Sequence, residues 1–387
     1  MLECLAAIWV IIQLAVGYNL LFPFFLLLIY SFSKKRRLKD VPNQTQPDYA
    51  IIVTAYQYLD TLPEAVASIL NLNYDNFLVY VVADNCDVTS LHFDDNRVII
   101  LKPDEVLKSN VKSHFYAIDR FHRDHDILTI IDSDNLVDPE YLNQLNTYFS
   151  EGFEAVQGCR EAKNLDTLYA CLDAARDIYY HFYDCRLLFN CGSSSTLSGS
   201  GMAFTTKLYK DCLGNADISG AGFDKVLQAS IVEKNKRIAF APHAIVYDQK
   251  TSAPDQLVNQ RSRWINTWFR YFALGFTLVA SGVKKASTNQ LLFGLVLLRP
   301  PLFLFLVLSL MMLVLNLVFS PLISLFWLLA LAIFIGCFIK ALVSSDSDKR
   351  IYQSLWGIPK FVYYQLISLS KIRKANTRSV STRHTHI

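Results

Sequence analysis

The sequence has little net charge, and its cysteines form no recognisable metal site. Its 387 residues carry 37 Lys and Arg against 34 Asp and Glu, a balance of +3 that is too small to indicate nucleic-acid binding. The eight cysteines are scattered, without a C-x-x-C pair or a His/Cys cluster. This argues against a zinc site and predicts reduced thiols in a cytosolic compartment.

The first apolar run lacks the basic residues that would precede it in a signal peptide. Residues 5–30 are almost all apolar and could cross a hydrocarbon core of about 30 Å. The basic cluster Lys34–Arg37 follows this run, and no small-residue cleavage site is visible. We therefore expect an uncleaved anchor with its N-terminus outside and the basic cluster inside. A buried core helix is the alternative.

The later apolar runs carry no acidic residue, which argues against a transporter. "LLFGLVLL" ends at Arg299–Pro301, where an arginine and two prolines favour an interfacial position over a membrane span. Leu302–Phe319 and Ile323–Ile339 are each about long enough to span, and the break between them predicts a helical hairpin. The aromatic and basic segment 355–374 predicts a helix in the membrane interface.

These runs divide the chain into six predicted parts. We expect an anchor at 1–32, a polar linker at 33–48, an α/β domain at 49–272, an interfacial segment at 273–301, a transmembrane hairpin at 302–341, and an interfacial helix with a basic tail at 342–387. An anchor that enters the cytosol and a hairpin that returns place the α/β domain and the tail on the cytosolic side. The prediction is an integral protein of the bacterial inner membrane or an equivalent bilayer.

The central part of the chain alternates strands and helices. "YAIIVTA", "FLVYVVAD", "RVIILK" and "DILTIIDSDN" read as strands, with helical stretches between them. This alternation predicts a mostly parallel sheet covered on both faces, with its ligands at the carboxyl ends of the strands. Beyond Asn135 the pattern predicts a long helix at 165–189, a small-residue loop that leads into a strand at 191–206, a helix and strand at 223–249, and a further helix.

Acidic residues stand where two of the predicted strands end. Asp132 and Asp134 are spaced i, i+2, so both can reach one divalent cation, which would neutralise a leaving diphosphate. D-x-D alone is commonly a turn, but its place after "ILTII" favours the metal site. Asp84 could bind a base N–H or ribose hydroxyls, while an Asx-turn or helix cap at Asn85 or Asp87 is the alternative.

Asp224 follows a glycine-rich stretch at the start of a predicted helix. Helix capping is its ordinary role in such a place. If it lay against an acceptor hydroxyl, it could instead serve as a general base. The sequence leaves both roles open.

A helix further on carries Gln260, Arg263 and Trp264 on one face. The guanidinium fork suits a diphosphate and the indole suits a sugar ring. Interfacial anchoring by Arg and Trp is the alternative. We expect three neighbouring side chains to meet lipid headgroups, namely those of Arg261, Trp268 and Arg270.

Four short motifs, taken in chain order, resemble the D, D, D, Q-x-x-R-W signature of the inverting family 2 glycosyltransferases. They are "VVADN", "DSD", "GFD" and "QRSRW". These glycosyltransferases are the membrane-embedded relatives of cellulose, chitin and hyaluronan synthases and of ceramide glucosyltransferase. The resemblance covers about Tyr49 to Trp268. It implies a GT-A fold, a Rossmann-like nucleotide-binding domain, and metal-dependent, inverting transfer from a nucleotide sugar, with a UDP-sugar as the first candidate.

The resemblance also implies roles for single residues. Asp84 would contact the uracil or ribose, Asp132 would lie near the diphosphate, Asp134 would hold Mg²⁺ or Mn²⁺, and Asp224 would be the general base. Gln260 and Arg263 would cap the diphosphate and Trp264 would lie under the acceptor sugar. "AYQ" is similar to the family's "AYNE", which assigns the base pocket to Thr54, Ala55 and Tyr56. "SGSGMAF" is similar to the loop near the acceptor, which assigns acceptor contacts to Ser200, Gly201 and Met202.

The chain departs from the family pattern in two motifs and in its number of spans. Gln57 stands where Asn-Glu is common, and Phe223 replaces the acid that usually precedes the base. With about three spans, a self-contained secretion channel is not expected. The enzyme would add one sugar to a lipid-linked acceptor, or extend a saccharide with other copies of itself or with a partner export pore. The rival hypothesis is a catalytically silent, membrane-tethered nucleotide-binding scaffold.

Overall fold

The computed structural model describes residues 2–33, 46–214 and 221–372. The basic cluster Lys34–Arg37, most of the predicted linker and the basic tail after Ile372 lie outside the described residues. The first half of the chain contains α1 (Leu2–Phe32), β1 (Tyr49–Tyr56), α2 (Leu62–Leu70), β2 (Phe77–Asp84), β3 (Val98–Leu101), α3 (Asn110–Ile118), β4 (Ile127–Asp132), β5 (Leu136–Val137), α4 (Tyr141–Phe149), β6 (Ala155–Ala162) and α5 (Leu168–Tyr180).

A π-helical turn (His181–Leu187) continues α5 into the short α6 (Leu188–Asn190). The remaining elements are β7 (Met202–Thr205), α7 (Thr206–Leu213), α8 (Phe223–Glu233), β8 (Ile238–Asp248), α9 (Pro254–Tyr271), α10 (Leu274–Lys284), α11 (Thr288–Leu298), α12 (Leu302–Phe319), α13 (Pro321–Ser344), α14 (Lys349–Ser354), a 3₁₀ turn (Leu355–Gly357) and α15 (Ile358–Ser370).

Within the described residues, eight strands form one mixed sheet in the order β3-β2-β1-β4-β7-β6-β8-β5. Neighbours are parallel from β3 to β4 and between β6 and β8, whereas β7 and β5 run antiparallel to their neighbours. The predicted α/β class is confirmed, and the sheet is mixed beyond β4. β6 was not among the predicted strands, because its second half, Gly158–Ala162, is polar or small and breaks the apolar pattern.

The two faces of β1 belong to two different cores, as the alternation of side chains along a strand requires. Ile51 and Val53 pack into one core, and Ala50 and Ile52 into the other. Full burial of such an aliphatic side chain contributes about 1.5–3 kcal/mol. Burial on both faces explains why this strand is a continuous apolar run.

The register of the parallel strands brings the predicted polar residues to one edge of the sheet. Tyr56 pairs with Asp84 across β1 and β2, and Thr54 pairs with Asp132 across β1 and β4. The carboxyl ends of the three strands therefore lie side by side, where the crevice of an open α/β sheet forms.

Three helices of the described residues are long and apolar enough to cross a membrane, at residues 6–32, 302–319 and 321–344. They correspond to the predicted anchor and hairpin. Within this bundle, Gln13 Oε1 accepts hydrogen bonds of 2.9 Å from Asn316 Nδ2 and from Trp327 Nε1. Large apolar side chains such as those of Leu14 and Leu322 stay exposed, as lipid contact would require.

The segment predicted to be interfacial forms two helices, α10 and α11, that pack against each other. Gly294 allows this approach, because a Cβ at this position would meet Val279 of α10 at 2.8 Å. Phe293 of α11 is fully buried in a core that α11 shares with α1, α5, α12 and α13. The pair therefore joins the α/β domain to the apolar bundle, and its interfacial position stays a prediction.

Candidate active site

A cavity of about 640 Å³ opens at the carboxyl ends of β1 and β4. It extends past the start of α8 and along α9 to the start of α12. Eight of the predicted site residues line it: Thr54, Tyr56, Asp132, Asp134, Asp224, Gln260, Arg263 and Trp264. Side chains that are up to 210 positions apart in sequence thus meet in one space.

Asp84 lies beside this cavity rather than in its lining. Its carboxylate is buried and accepts the backbone N–H groups of Leu107, at 2.9 Å, and Lys108, at 2.8 Å. The alternative role proposed for this segment is present at Asp87, whose Oδ1 accepts the N–H of Thr89 at 3.1 Å in an Asx-turn. Asp84 orders the loop before α3, and its contact with a nucleotide stays a prediction.

The other predicted residues outside the lining belong to the sheet and to the loop before β7. Ala55 and Met202 are buried core residues. Gly201 has a left-handed φ of 66°, and its carbonyl accepts the N–H of Gly158 at 2.8 Å. Ser200 Oγ accepts the backbone N–H of Asp132 at 3.1 Å. The acceptor contacts of residues 200–202 stay predictions, and the neighbouring residues 196–199 line the cavity instead.

Asp132 and Asp134 form the acidic end of the cavity. Burial, and after it the charge of Asp134, raises the pKa of Asp132 from 3.8 to about 7. A divalent cation would replace that proton and relieve the repulsion, so the two residues present fit the predicted cation. The described residues contain no group of three or more His, Cys, Asp or Glu side chains that could hold a metal.

Next to this pair lies an ion pair that the motifs did not indicate. Arg160 of β6 reaches Asp248, at the end of β8, with an N–O distance of 2.6 Å, and donates to the carbonyl of Ser198 at 2.7 Å. Burial alone would raise the pKa of Asp248, but Arg160 and Lys250 lower it to about 2. Asp132 was selected because it is an acidic residue at the end of an apolar strand. Asp248 also ends an apolar strand and could have been predicted in the same way.

The ion pairs continue through the buried floor of the cavity. Lys250 Nζ lies 2.7 Å from Asp248 and 2.5 Å from Asp177, and Arg176 lies 2.5 Å from Asp177. Burial would raise the pKa of Asp177, yet Arg176, Lys250 and Arg160 hold it well below its usual range. The acid is therefore kept ionised. The network fixes α5 against β6 and β8.

Asp224 stands in the first turn of α8, but it is not the helix cap. Gly222 occupies the N-cap position with a left-handed φ of 102°, and no side chain caps the helix. The Asp224 carboxylate lines the cavity and lies 3.5 Å from Lys225 Nζ. The capping role considered from the sequence is thus not the one this residue has. A carboxylate open to the cavity is available to accept a proton.

α9 presents Gln260, Arg263 and Trp264 to the cavity together, as its periodicity predicts. The guanidinium carbons of Arg176 and Arg261 lie 4.3 and 4.0 Å from the centroid of the Trp264 ring. The indole therefore already stacks with cations, at about 0.5–2 kcal/mol for each such contact. Its role as a platform for a sugar stays a prediction.

The expectation that Arg261 meets lipid headgroups is wrong. Its side chain is buried and forms an ion pair with Asp173 of α5. Burial, and then the neighbouring charge of Arg176, lowers the pKa of Arg261 to about 10. The physical reason is that α5 supplies a buried partner, Asp173, beside α9, while Arg270, in the last turn of α9, is exposed.

Solved glycosyltransferase-sized chains superpose on this one over most of their length. The mannosyltransferase PcManGT from Pyrobaculum calidifontis, in complex with GDP-Man and Mn²⁺, superposes with a TM-score of 0.52 at 14% identity, over 94% of this chain and 99% of that one. S. aureus TarS 1–349 superposes with a TM-score of 0.44 at 14% identity, over 85% and 90% of the two chains. The first of these likenesses supports a GT-A fold. No curated protein sequence is significantly similar to the chain.

The family model for glycosyltransferase-like family 2 matches residues 47–267, which is more than half of the chain. The matched segment contains every residue so far placed at the acidic end of the cavity, together with Asp224, Gln260, Arg263 and Trp264. The chain therefore belongs to glycosyltransferase-like family 2.

Proposed function

We propose that this protein is a membrane-bound, inverting glycosyltransferase that moves a sugar from a nucleotide sugar to a hydroxyl of a saccharide or lipid-linked acceptor. The observation that carries the proposal is that one cavity contains both the acidic pair Asp132–Asp134 and the separate carboxylate Asp224. The pair suits a cation that binds a diphosphate, and the separate carboxylate suits a base. Family membership makes sugar transfer the reaction to test first.

The donor would lie at the sheet end of the cavity. Thr54 and Tyr56 would line the pocket of the base, while Gln260 and Arg263 would face the diphosphate. Asp134, with Asp132 beside it, would hold Mg²⁺ or Mn²⁺, and the cation would offset the charge that develops on the leaving diphosphate. The Mn²⁺ complex of the mannosyltransferase PcManGT supports this choice of cation.

Asp224 would accept the proton of the acceptor hydroxyl. The oxygen would then form its bond to the anomeric carbon as the bond from that carbon to the diphosphate breaks on the opposite side. In-line displacement of this kind inverts the anomeric configuration. Lys225, 3.5 Å from the Asp224 carboxylate, keeps a positive charge beside the base.

Two observations bear on the donor nucleotide. The family resemblance favours a UDP-sugar, and the mannosyltransferase PcManGT, which has the same fold, binds GDP-Man. UDP-sugars are therefore the first candidates and GDP-sugars the second. The three apolar helices support a reaction at a bilayer, and the basic cluster at Lys34–Arg37 favours a cytosolic position for the α/β domain.

A panel of UDP- and GDP-sugars, with and without Mn²⁺, tests the proposal. The full-length protein in lipid nanodiscs should release nucleotide from one donor, with an absolute requirement for the cation and with inverted configuration in the product. Nucleotide binding without any release would support the silent scaffold instead. Retained configuration would exclude the single displacement.

A further inference from the structure

The half of the cavity away from the sheet is apolar and ends where a membrane helix begins. α12, which starts at Leu302, is apolar enough to cross a bilayer. The cavity lining at this end consists mainly of apolar side chains from the end of α11 and the start of α12: Val296, Leu297, Pro300, Pro301, Leu302 and Phe303. Apolar side chains offer no hydrogen bonds to the phosphates of a nucleotide or to the hydroxyl groups of a free saccharide, so this lining suits neither.

Three buried polar side chains line the cavity between this wall and Asp224. Arg299 forms an ion pair with Asp184 of the π-helical turn, and Gln228 Oε1 accepts the N–H of Leu197 at 2.9 Å. Each of the three still has a side-chain atom without a hydrogen-bond partner in the described part of the chain. These atoms are Arg299 Nη1, Asp184 Oδ1 and Gln228 Nε2, on residues that are 6%, 3% and 0% exposed.

The unpartnered atoms are two donors and one acceptor, and leaving such an atom unpaired costs about 1–3 kcal/mol. A hydroxyl group can satisfy both kinds, because it donates one hydrogen bond and accepts two. A phosphate would satisfy the donors but would meet the Asp184 carboxylate as a like charge. The trio therefore suits an alcohol or a sugar hydroxyl better than an anion.

The trio also lies beside the proposed base. Gln228 follows Asp224 by four positions on α8, so the two side chains lie on the same face of that helix. Burial raises the pKa of Asp184, and the charge of Arg299, with a smaller effect from Lys225, opposes the rise. Asp184 lines the same cavity as Asp224 and Gln228.

We propose that Asp184, Gln228 and Arg299 bind the hydroxyl-bearing head of an amphiphilic acceptor whose apolar chain lies along residues 296–303 and enters the bilayer beside α12. This inference rests on the proposed function and narrows the acceptor to a membrane lipid, either a lipid alcohol or a lipid-linked saccharide. The head would reach Asp224 from the membrane side while the donor enters from the sheet side.

Matched alkyl glycosides test the class of acceptor. The full-length protein in nanodiscs would be given its donor and methyl or dodecyl glycosides of glucose, mannose and N-acetylglucosamine, with dodecanol as the lipid alcohol. We expect at least one dodecyl compound to be glycosylated with a KM at least about tenfold below that of its short-chain counterpart. Equal KM values, or donor turnover that no dodecyl compound accelerates, would overturn the inference and leave the proposed function standing.

Substitutions in the trio test the residues. Gln228→Met should raise the acceptor KM about tenfold or more, while the donor KM and the slow hydrolysis of donor without acceptor stay unchanged. Gln228→Glu keeps an oxygen for the Leu197 N–H and should show the same change if the amide N–H groups hold the acceptor. Gln290→Met is the control, because Gln290 is equally buried but lies outside the cavity lining.

The outcomes separate the two proposals. An unchanged acceptor KM in both Gln228 variants would contradict the subsite. An equal rise of donor and acceptor KM would show that Gln228 acts through the fold alone. If no donor is hydrolysed or transferred by the wild-type protein, the proposed function itself fails, and the inference fails with it.

Discussion

Ser200 Oγ accepts the backbone N–H of Asp132 over 3.1 Å, which ties the end of β4 to the loop before β7. This bond fixes the backbone of Asp132 at the acidic end of the cavity, where the D-x-D motif predicts a cation.

Mn²⁺ should bind more weakly as the pH falls below about 7. Burial and the charge of Asp134 raise the pKa of Asp132 from 3.8 to about 7, so below that pH the cation must displace a proton. Affinity should fall roughly tenfold per pH unit there and level off above. Calorimetric titration at pH 6 and pH 8 measures this. Asp132→Asn should remove the pH dependence, and equal wild-type affinities at the two pH values would contradict the prediction.

Gly222→Ala should destabilise the protein and slow transfer. The φ of Gly222 is +102°, and a Cβ would lie 2.5 Å from Thr267 Cγ2 and 2.8 Å from Tyr271 Cε2. The start of α8, which carries Asp224, would have to move away from α9. Gly152→Ala is the matched control, because its φ is +86° but nothing lies within 4 Å of the added methyl group.

The free energy of unfolding of Gly152→Ala should fall only by the cost of a left-handed backbone at a residue other than glycine, about 1–2 kcal/mol. Thermal unfolding and the transfer rate, measured on both variants, distinguish the strain of the left-handed backbone from the steric clash with α9. If both variants lost the same stability and kept full activity, the close contact between α8 and α9 would not position the base.

Arg261→Ala should destabilise the protein strongly, whereas Arg270→Ala should leave the unfolding midpoint nearly unchanged. Arg261 is buried against Asp173, and removal of one partner of a buried pair typically costs 3–5 kcal/mol. Asp173 keeps a second contact with Arg176 at 3.1 Å, so a loss of about 3 kcal/mol is expected. Similar unfolding midpoints for the two variants would mean that both arginines face solvent or lipid.

The contrast between these arginines shows what the sequence could and could not predict. The period of α9 indicates correctly that Gln260, Arg263 and Trp264 share a face. It does not indicate which other elements pack against α9. Arg261 was assigned to lipid because α5, which supplies Asp173, lies 88 positions away and no local pattern connects the two.

Strands buried on both faces were the easiest part of the fold to predict. β2 has the predicted ends, Phe77 and Asp84, and β1 lies within one residue of its prediction. β4 begins one residue after its predicted start but ends at Asp132, three residues before the predicted end. β6 was missed because it lines the cavity with Arg160 and therefore lacks the apolar pattern of a strand. The π-helical turn, which brings Asp184 toward Arg299, has no sequence signal comparable to a proline or glycine.

Replacement of Asp224 by Asn tests the central claim, that this cavity catalyses sugar transfer with Asp224 as the base. Transfer of labelled sugar from the best donor should fall by about 10²–10⁴ in kcat, with donor affinity unchanged. Asp255→Asn is the matched control, since Asp255 is likewise the second residue of its helix but is exposed and outside the cavity lining. Full transfer by the Asp224 variant would contradict the account.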